Sequence, residues 1–368
     1  MTAPQSADPP GEREARTPDP QLPPPIEARP ASEEEVRERL RARNIRRGVR
    51  VFVIIGVVAA AAVIAFTVSG ETLEGLGRLK PHWLALTVLL WLVATGVDGA
   101  RLAVLSRAGE HRIGIVRSAE IILVGYFMAA ITPFQVGGLP LQLYSMSKWG
   151  ISPGKASAML LARGILFYGM VFAAAPFIAV HLGVSSVLLK VLATYIAIII
   201  AGGAVFVILT LFFPQVVACW RDRLAAKEKP GRVRRLLVRS LGEFGHFADG
   251  LKLYFRGRNI WYLLVAALLT VAYGLSYFGM TAAILGGLGV LHSQDVLRVL
   301  GINNLLVAVL LYIPTPGAGG VAEAGAAALY AMLCPRYMLG VFVLLWRLFS
   351  FYIGAFVGGA VALKHVAR

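Results

Sequence analysis

Charge is scarce in this chain. Only 15% of its 368 residues are Asp, Glu, Lys or Arg, where soluble domains carry about 25%. What stands in their place is apolar: 57% of the residues are hydrophobic, gathered into several runs of about twenty, the length of helix that crosses roughly 30 Å of hydrocarbon. A polytopic all-α membrane protein follows. Acid is scarcer than base, with 20 Asp or Glu against 36 Lys or Arg. Nucleic-acid binding is nevertheless excluded, because the basic residues lie in segments flanking the apolar runs, where they orient a membrane protein. Cysteine is nearly absent: Cys219 and Cys334 fall at opposite faces of the expected topology, so no disulfide is expected. The six histidines are scattered without metal-ligand spacing, and no G-x-S-x-G elbow occurs. "GISPGK" (150–155) is one residue short of a phosphate loop and is followed by Ala156, and "GAGGVA" has no strand before it. No catalytic constellation, cofactor or metal is expected, and the chain does not read as an enzyme.

Full crossings are expected at about 51–69, 83–100, 156–180, 187–213, 260–285 and 338–362. Residues 1–32, rich in Pro, Glu, Arg and Ala, read as a disordered tail, and 33–50 as a basic cytoplasmic helix with seven arginines between Arg37 and Arg50. That helix either contacts anionic lipid or, the simpler reading, retains the N-terminus in the cytoplasm. The connection 219–259 holds eleven Lys or Arg against four acids and should be a cytoplasmic basic loop. Segment 101–117, with Arg101, Arg107, Arg112 and Arg117, belongs on the same side, as do Lys148 and Lys155. Threading the chain through these constraints puts both termini in the cytoplasm. It also leaves 115–147 and 296–334 starting and ending on one side each, as two re-entrant helical hairpins of opposite orientation.

Both stretches contain helix breakers. The first carries "ITPFQVGGLP" (131–140) and the second "IPTPGAGGVAE" (313–323). Proline removes an amide donor, glycine admits otherwise strained angles, and unwound backbone survives at membrane depth only where protein or water satisfies it. Pro133, Gly137, Gly138 and Pro140 should form one tip, and Pro314, Thr315, Pro316, Gly317, Gly319 and Gly320 the other. The breaks recur within a repeat of helix, hairpin, helix, over 83–180 and again over 260–362. Thr132 precedes Arg163 by 31 residues and Thr315 precedes Arg347 by 32. The halves enter the membrane from opposite sides, an inverted-topology repeat that points to a mid-membrane binding site.

Arg163 and Arg347 lie about 12 Å along their helices at 1.5 Å per residue, near the middle of the apolar layer. An unpaired guanidinium there costs ~3 kcal/mol or more. Two readings follow: a clamp for an anionic group such as a phosphodiester, which guanidinium binds with two hydrogen bonds, or a structural ion pair, Arg347 with Glu323. Glu323 itself could hold a cation or proton, or cap Arg347. Asp98 and Arg101, three apart, read as an interfacial pair near the cytoplasmic surface. "GAFVG" (354–358) reads as a small-residue packing element.

The run "ITPFQVGGLPLQLYSMSKWGISPGKASAMLLARGILF", with "PTPGAGGVAEAGAAALYAMLCPRYMLGVFVLLWRL", resembles the lysylphosphatidylglycerol synthase transmembrane-region family, the flippase-like domains also found in the bacterial multiple peptide resistance factor. The resemblance extends over about 50–365. It implies a bacterial inner-membrane protein that moves or binds an anionic phospholipid or lipid-linked phosphate between leaflets, with Thr132, Gly137, Gly138, Arg163, Pro316, Gly317, Glu323 and Arg347 along the lipid path. Pro133 and Thr315 join them as tip residues. Where the family often shows Glu-Pro-Leu-Arg after the paired glycines, this chain has Leu139, Pro140, Leu141 and Gln142, so a different headgroup choice is implied. No stretch reads as a soluble aminoacyltransferase, and synthase activity is not expected. The alternatives are an embedded enzyme acting on lipid phosphates or glycolipids, with Glu323 as its base, and a non-transporting scaffold for lipid synthesis.

Overall fold

The computed structural model describes residues 80–132, 137–183, 186–212, 214–225, 232–311 and 313–367. The expected N-terminal tail, basic helix and first crossing, and Pro133, lie outside that set. Among the described residues the structure is helical, with no strand.

The first helix, α1 (Pro81–Ala108), opens on a proline in its first turn and closes where the Gly109 amide returns to the Leu105 carbonyl at 3.1 Å. The first broken stretch is α2 (Ile115–Ile131) followed, after the break, by α3 (Gly138–Ser147). Next, α4 (Pro153–His181) is capped by the Ser152 hydroxyl, and α5 (Ser186–Phe212) leads to α6 (Pro214–Ala225) and α7 (Arg232–Tyr254). The second half runs through α8 (Ile260–Gly287) and α9 (Val296–Leu310). A 3-10 turn at Pro316–Ala318 then precedes α10 (Val321–Tyr330), and α11 (Arg336–Arg347) passes through a π-helical turn (Leu348–Tyr352) into α12 (Ile353–Ala367).

Five helical segments among the described residues are long and apolar enough to cross a membrane: Pro81–Ala108, Pro153–His181, Ile260–Gly287, Ser293–Leu310 and Arg336–Lys364. A sixth would be made by Ala201–Phe212 with Gln215–Ala225, bent by 63°. The outward faces carry large apolar side chains, Phe177 at 79% exposure and Leu268 at 72% among them, as hydrocarbon requires and water does not.

Two expectations are corrected here. The crossing expected to stop near residue 100 continues to Ala108, because Arg101 does not mark a water boundary: it is buried and paired within the helix. The pair Asp98–Arg101, read as interfacial, is likewise wholly inside the bundle. Most of the basic connection 219–259 lies in α6 and α7. In α7, Phe247, Ala248, Leu251 and Tyr254 recur at helical spacing and bury themselves, packing against α4. Tyr254 donates its hydroxyl to the Leu105 carbonyl at 3.1 Å, and Asn259 donates its amide to the Ala108 carbonyl at 3.2 Å. The Gly154 amide, at the start of α4, is taken by the Glu243 carboxylate at 2.8 Å. Thus α7 ties together the ends of the two helices that carry Asp98 and Arg163.

The packing of the long helices is reciprocal. α1 and α8 form the most extensive pair and run antiparallel: Trp83 lies against Gly286 at one end, while Arg101 reaches Thr270 further along. The first arm of the first broken stretch, α2, packs antiparallel on α12, with Gly358 against the Leu123 carbonyl, Gly354 against Tyr126, and Lys364 3.9 Å from Glu120. A Cβ at Gly358 would collide with that carbonyl, so the small-residue element is a close helix contact. The first arm of the second stretch, α9, packs antiparallel on α4, with Gly301 against Ile178 and the Asn304 amide donating to the Val171 carbonyl at 3.0 Å. Each half's broken arm therefore lies on the closing helix of the other half.

Candidate functional site: two helix breaks and a buried ion cluster

The first break is closed by one side chain. Thr132 follows the last turn of α2 and has extended backbone angles. Its hydroxyl donates to the Met128 carbonyl at 2.8 Å and accepts the Gly137 amide at 2.9 Å. One hydroxyl thus satisfies groups on both sides of the gap, which backbone away from water demands. Beyond the gap, α3 folds back on α2 so closely that a Cβ at Gly138 would meet the Gly125 carbonyl. Gln142 lies buried against Gly125.

The second break is braced from three sides. Ala318 and Gly319 bond back to Thr315 and Pro316, and the exposed Thr315 hydroxyl donates to the Gly319 carbonyl at 3.1 Å. The Gly320 amide donates to Glu323 Oε2 at 2.7 Å, the reciprocal half of a capping box. Gly317 has φ of 59°, a left-handed conformation natural to glycine, and its carbonyl accepts a hydrogen bond from Arg347 Nη2. Arg347 Nε stands 2.8 Å from Glu323 Oε1, an ion pair by distance. The guanidinium also lies 4.0 Å from the centre of the Phe351 ring and 5.9 Å from that of Tyr352. The wide π-helical turn after Arg347 allows both rings to approach it, a local distortion frequent at functional positions.

The two breaks are neighbours. The Pro316–Ala318 turn packs on α2. Phe351 packs against the cluster of Ala130 and Ala355, close to Thr132 in the chain, and its ring also occupies the space a Cβ on Gly317 would need.

Arg163 does not join Arg347 in a symmetric clamp. It grips Asp98 with Nε on Oδ1 at 2.9 Å and Nη2 on Oδ2. Asp98 also accepts from Arg101 Nη1 at 2.7 Å and from the Tyr126 hydroxyl at 2.7 Å. Four hydrogen bonds fill the carboxylate's capacity. Arg101 is fixed on all three nitrogens, since Nε reaches Thr270 Oγ1 at 3.0 Å and Nη2 reaches the Arg163 carbonyl at 3.0 Å. An aromatic path leads away from this cluster: the Tyr126 and Tyr273 hydroxyls are 3.4 Å apart, and Tyr273 stacks on Tyr277 with ring centres at 5.8 Å.

Sequence reasoning missed Asp98, Arg101, Tyr126 and Thr270 as parts of this centre. The available signal was the apolar run on both sides of Asp98. A carboxylate in such a run needs an intramembrane cation, and Arg163 was one of two at comparable depth. The donor set contains no group of three or more His, Cys, Asp or Glu suited to a metal among the described residues. Its chemistry is that of guanidinium, carboxylate and phenol joined by charge-assisted hydrogen bonds.

A bundle of apolar helices long enough to span a bilayer, with an ion cluster buried among them, defines a multi-pass integral membrane protein. The chain belongs to the lysylphosphatidylglycerol synthase transmembrane-region family, whose profile matches residues 53–358. It is 27% identical over 332 residues to a UPF0104 membrane protein of Archaeoglobus fulgidus, covering 83% of this chain and 93% of the relative. It is 26% identical over 175 residues to a UPF0104 membrane protein of Methanothermobacter thermautotrophicus, covering 47% of this chain and 50% of that protein.

Proposed function

We propose that this protein translocates an anionic phospholipid or lipid-linked phosphate between the leaflets of a plasma membrane, without acting as an enzyme on it. The observation that carries the reading is Arg163. Its side chain keeps 18% exposure while its partner Asp98 has none, and the cluster of one carboxylate and two guanidinium groups has a net charge of about +1, as ionised Asp and Arg dictate. A buried excess cation calls for an anion. Arg163 is the first contact for the phosphate. Arg347, held by Glu323 and the Gly317 carbonyl, shapes the second tip, the bracing role that was the other reading of its position. Thr132, Gly137, Gly138, Thr315, Pro316 and Gly317 line the path between the breaks.

The antiparallel pairing of α1 with α8, and the reciprocal packing of α2 on α12 and α9 on α4, support an inverted repeat whose two broken stretches enter from opposite faces. Such a frame can rock to open one site to either leaflet. An enzymatic reading would need Glu323 as base; one of its oxygens takes the Gly320 amide, and the other stands 2.8 Å from Arg347 Nε, an ion pair by distance.

The test is purified protein in liposomes with fluorescent phosphatidylglycerol and a membrane-impermeant quencher. Wild type accelerates leaflet exchange and Arg163→Ala abolishes the acceleration. Equal exchange by the two proteins would remove the reading, and a new lipid species in the extract would turn it toward an enzyme.

A further inference from the structure

Arg101 and Arg163 share one carboxylate but are not equivalent. Arg101 is 1% exposed in its side chain and committed through all three nitrogens to Asp98, Thr270 and the Arg163 backbone. Arg163 is 18% exposed, and among the described residues its guanidinium donates only to Asp98. A buried carboxylate deserted by its cation is strongly destabilised. Here departure of Arg163 leaves Asp98 still bonded to Arg101 at 2.7 Å and to Tyr126 at 2.7 Å, a neutral pair that stays satisfied.

We infer that Asp98 is a built-in counter-anion which the ligand's phosphate displaces from Arg163, and that Arg101 is the positioning residue that makes the exchange possible by keeping Asp98 neutralised after Arg163 leaves. This rests on the anion-handling reading above and adds the role of two residues that do not touch the ligand. No covalent step is involved: two hydrogen bonds from Arg163 pass from a carboxylate to a phosphate, and no proton moves. The same geometry should favour a net negative headgroup, since a zwitterion brings its own cation to compete with Arg163.

The inference makes a charge-counting prediction that a merely structural role does not. Counting Asp98, Arg101 and Arg163 as ionised, the cluster carries about +1 in wild type, about 0 in Arg101→Gln and about +1 again in Asp98→Asn/Arg101→Gln. In Arg101→Gln the only cation left for Asp98 is Arg163, which becomes locked. The experiment titrates the full-length protein in neutral detergent by calorimetry with dihexanoyl phosphatidylglycerol, with inorganic phosphate and with dihexanoyl phosphatidylcholine. Arg101→Gln should weaken binding of the anionic probe by at least ~10-fold, one decade of affinity. The double variant should recover to within ~3-fold of wild type, about half a decade of affinity. Arg101→Lys, which keeps the charge and loses the forked geometry, guards against misfolding of Arg101→Gln and should weaken binding less than Arg101→Gln does.

If the pattern arises with phosphatidylglycerol alone, the ligand is the lipid; if phosphate reproduces it, the site reads the free phosphate group. Failure of the double variant to recover, binding by folded Arg101→Gln equal to wild type, or no binding of either anion by wild type overturns the inference. The two readings fail separately. Transport lost in Arg163→Ala but intact in Arg101→Gln sinks the exchange and leaves translocation standing, whereas charge-dependent binding without leaflet exchange in liposomes does the reverse.

Discussion

Arg163 and Asp98 are 65 residues apart in sequence, yet the guanidinium meets the carboxylate side on, through two parallel hydrogen bonds. The pair joins the opening helix of the first half to its closing helix, and Arg101 extends the join to α8 through Thr270.

That triad predicts an unequal response to truncation. Asp98→Ala leaves two guanidinium groups with no counter-charge, a loss of ~3–5 kcal/mol by the usual cost of breaking a buried pair. Arg163→Ala leaves Asp98 with Arg101 and should be the milder change. Thermal unfolding of the purified variants in one detergent measures the order, and a larger drop for Arg163→Ala would contradict the charge distribution described here.

Thr132 should tolerate Ser and resist Val. Serine keeps the hydroxyl that bonds Met128 and Gly137. Valine keeps the shape and leaves the Gly137 amide unpaired, a cost of ~1–3 kcal/mol. Unfolding temperatures of Thr132→Ser and Thr132→Val supply the comparison, and equal values would mean the hydroxyl bridge contributes nothing.

Gly317→Ala should destabilise where Gly319→Ala does not. At Gly317 a methyl group meets the Phe351 ring and φ is 59°. At Gly319 φ is −56° and the nearest atom to a new Cβ is the Pro316 carbonyl oxygen at 3.4 Å. A difference of ~1–3 kcal/mol between the variants is expected from strain and overpacking, read again from unfolding.

Glu323→Gln should loosen the second tip. The glutamine can still accept the Gly320 amide, but Arg347 loses its charge partner. With Cys219 and Cys334 replaced, a cysteine at Thr315 should react faster with a maleimide in Glu323→Gln than in the parent. No change in rate would show that the Gly317 carbonyl and the aromatic rings suffice to hold the tip.

The proposed opposite entry of the two broken stretches predicts opposite accessibility. In intact vesicles, with Cys219 and Cys334 replaced, an impermeant thiol reagent should reach a cysteine at Lys148 from one side and a cysteine at the exposed Met332 position from the other. Labelling of both from a single side would end the inverted-repeat reading.

Much of this architecture was written in the order of residues. Runs of about twenty apolar residues mark the long helices because hydrocarbon leaves a backbone no partner but itself, and Thr-Pro with paired glycines marks both breaks because those residues cannot continue a helix at low cost. The pairing of Arg347 with Glu323 was one of the readings the sequence offered, because both charges fall in one broken stretch and its closing helix, 24 residues apart. What local order could not decide was the partner of Arg163. Asp98 lies three residues from Arg101, and that spacing alone reads as an interfacial pair; only the docking of α1, α2, α4 and α8 brings Asp98, Tyr126, Arg163 and Thr270 to one point. A hydrophobic pattern states which residues avoid water, because that property belongs to each side chain separately. Which buried charge neutralises which is a relation between distant elements, and it exists only once the helices have packed.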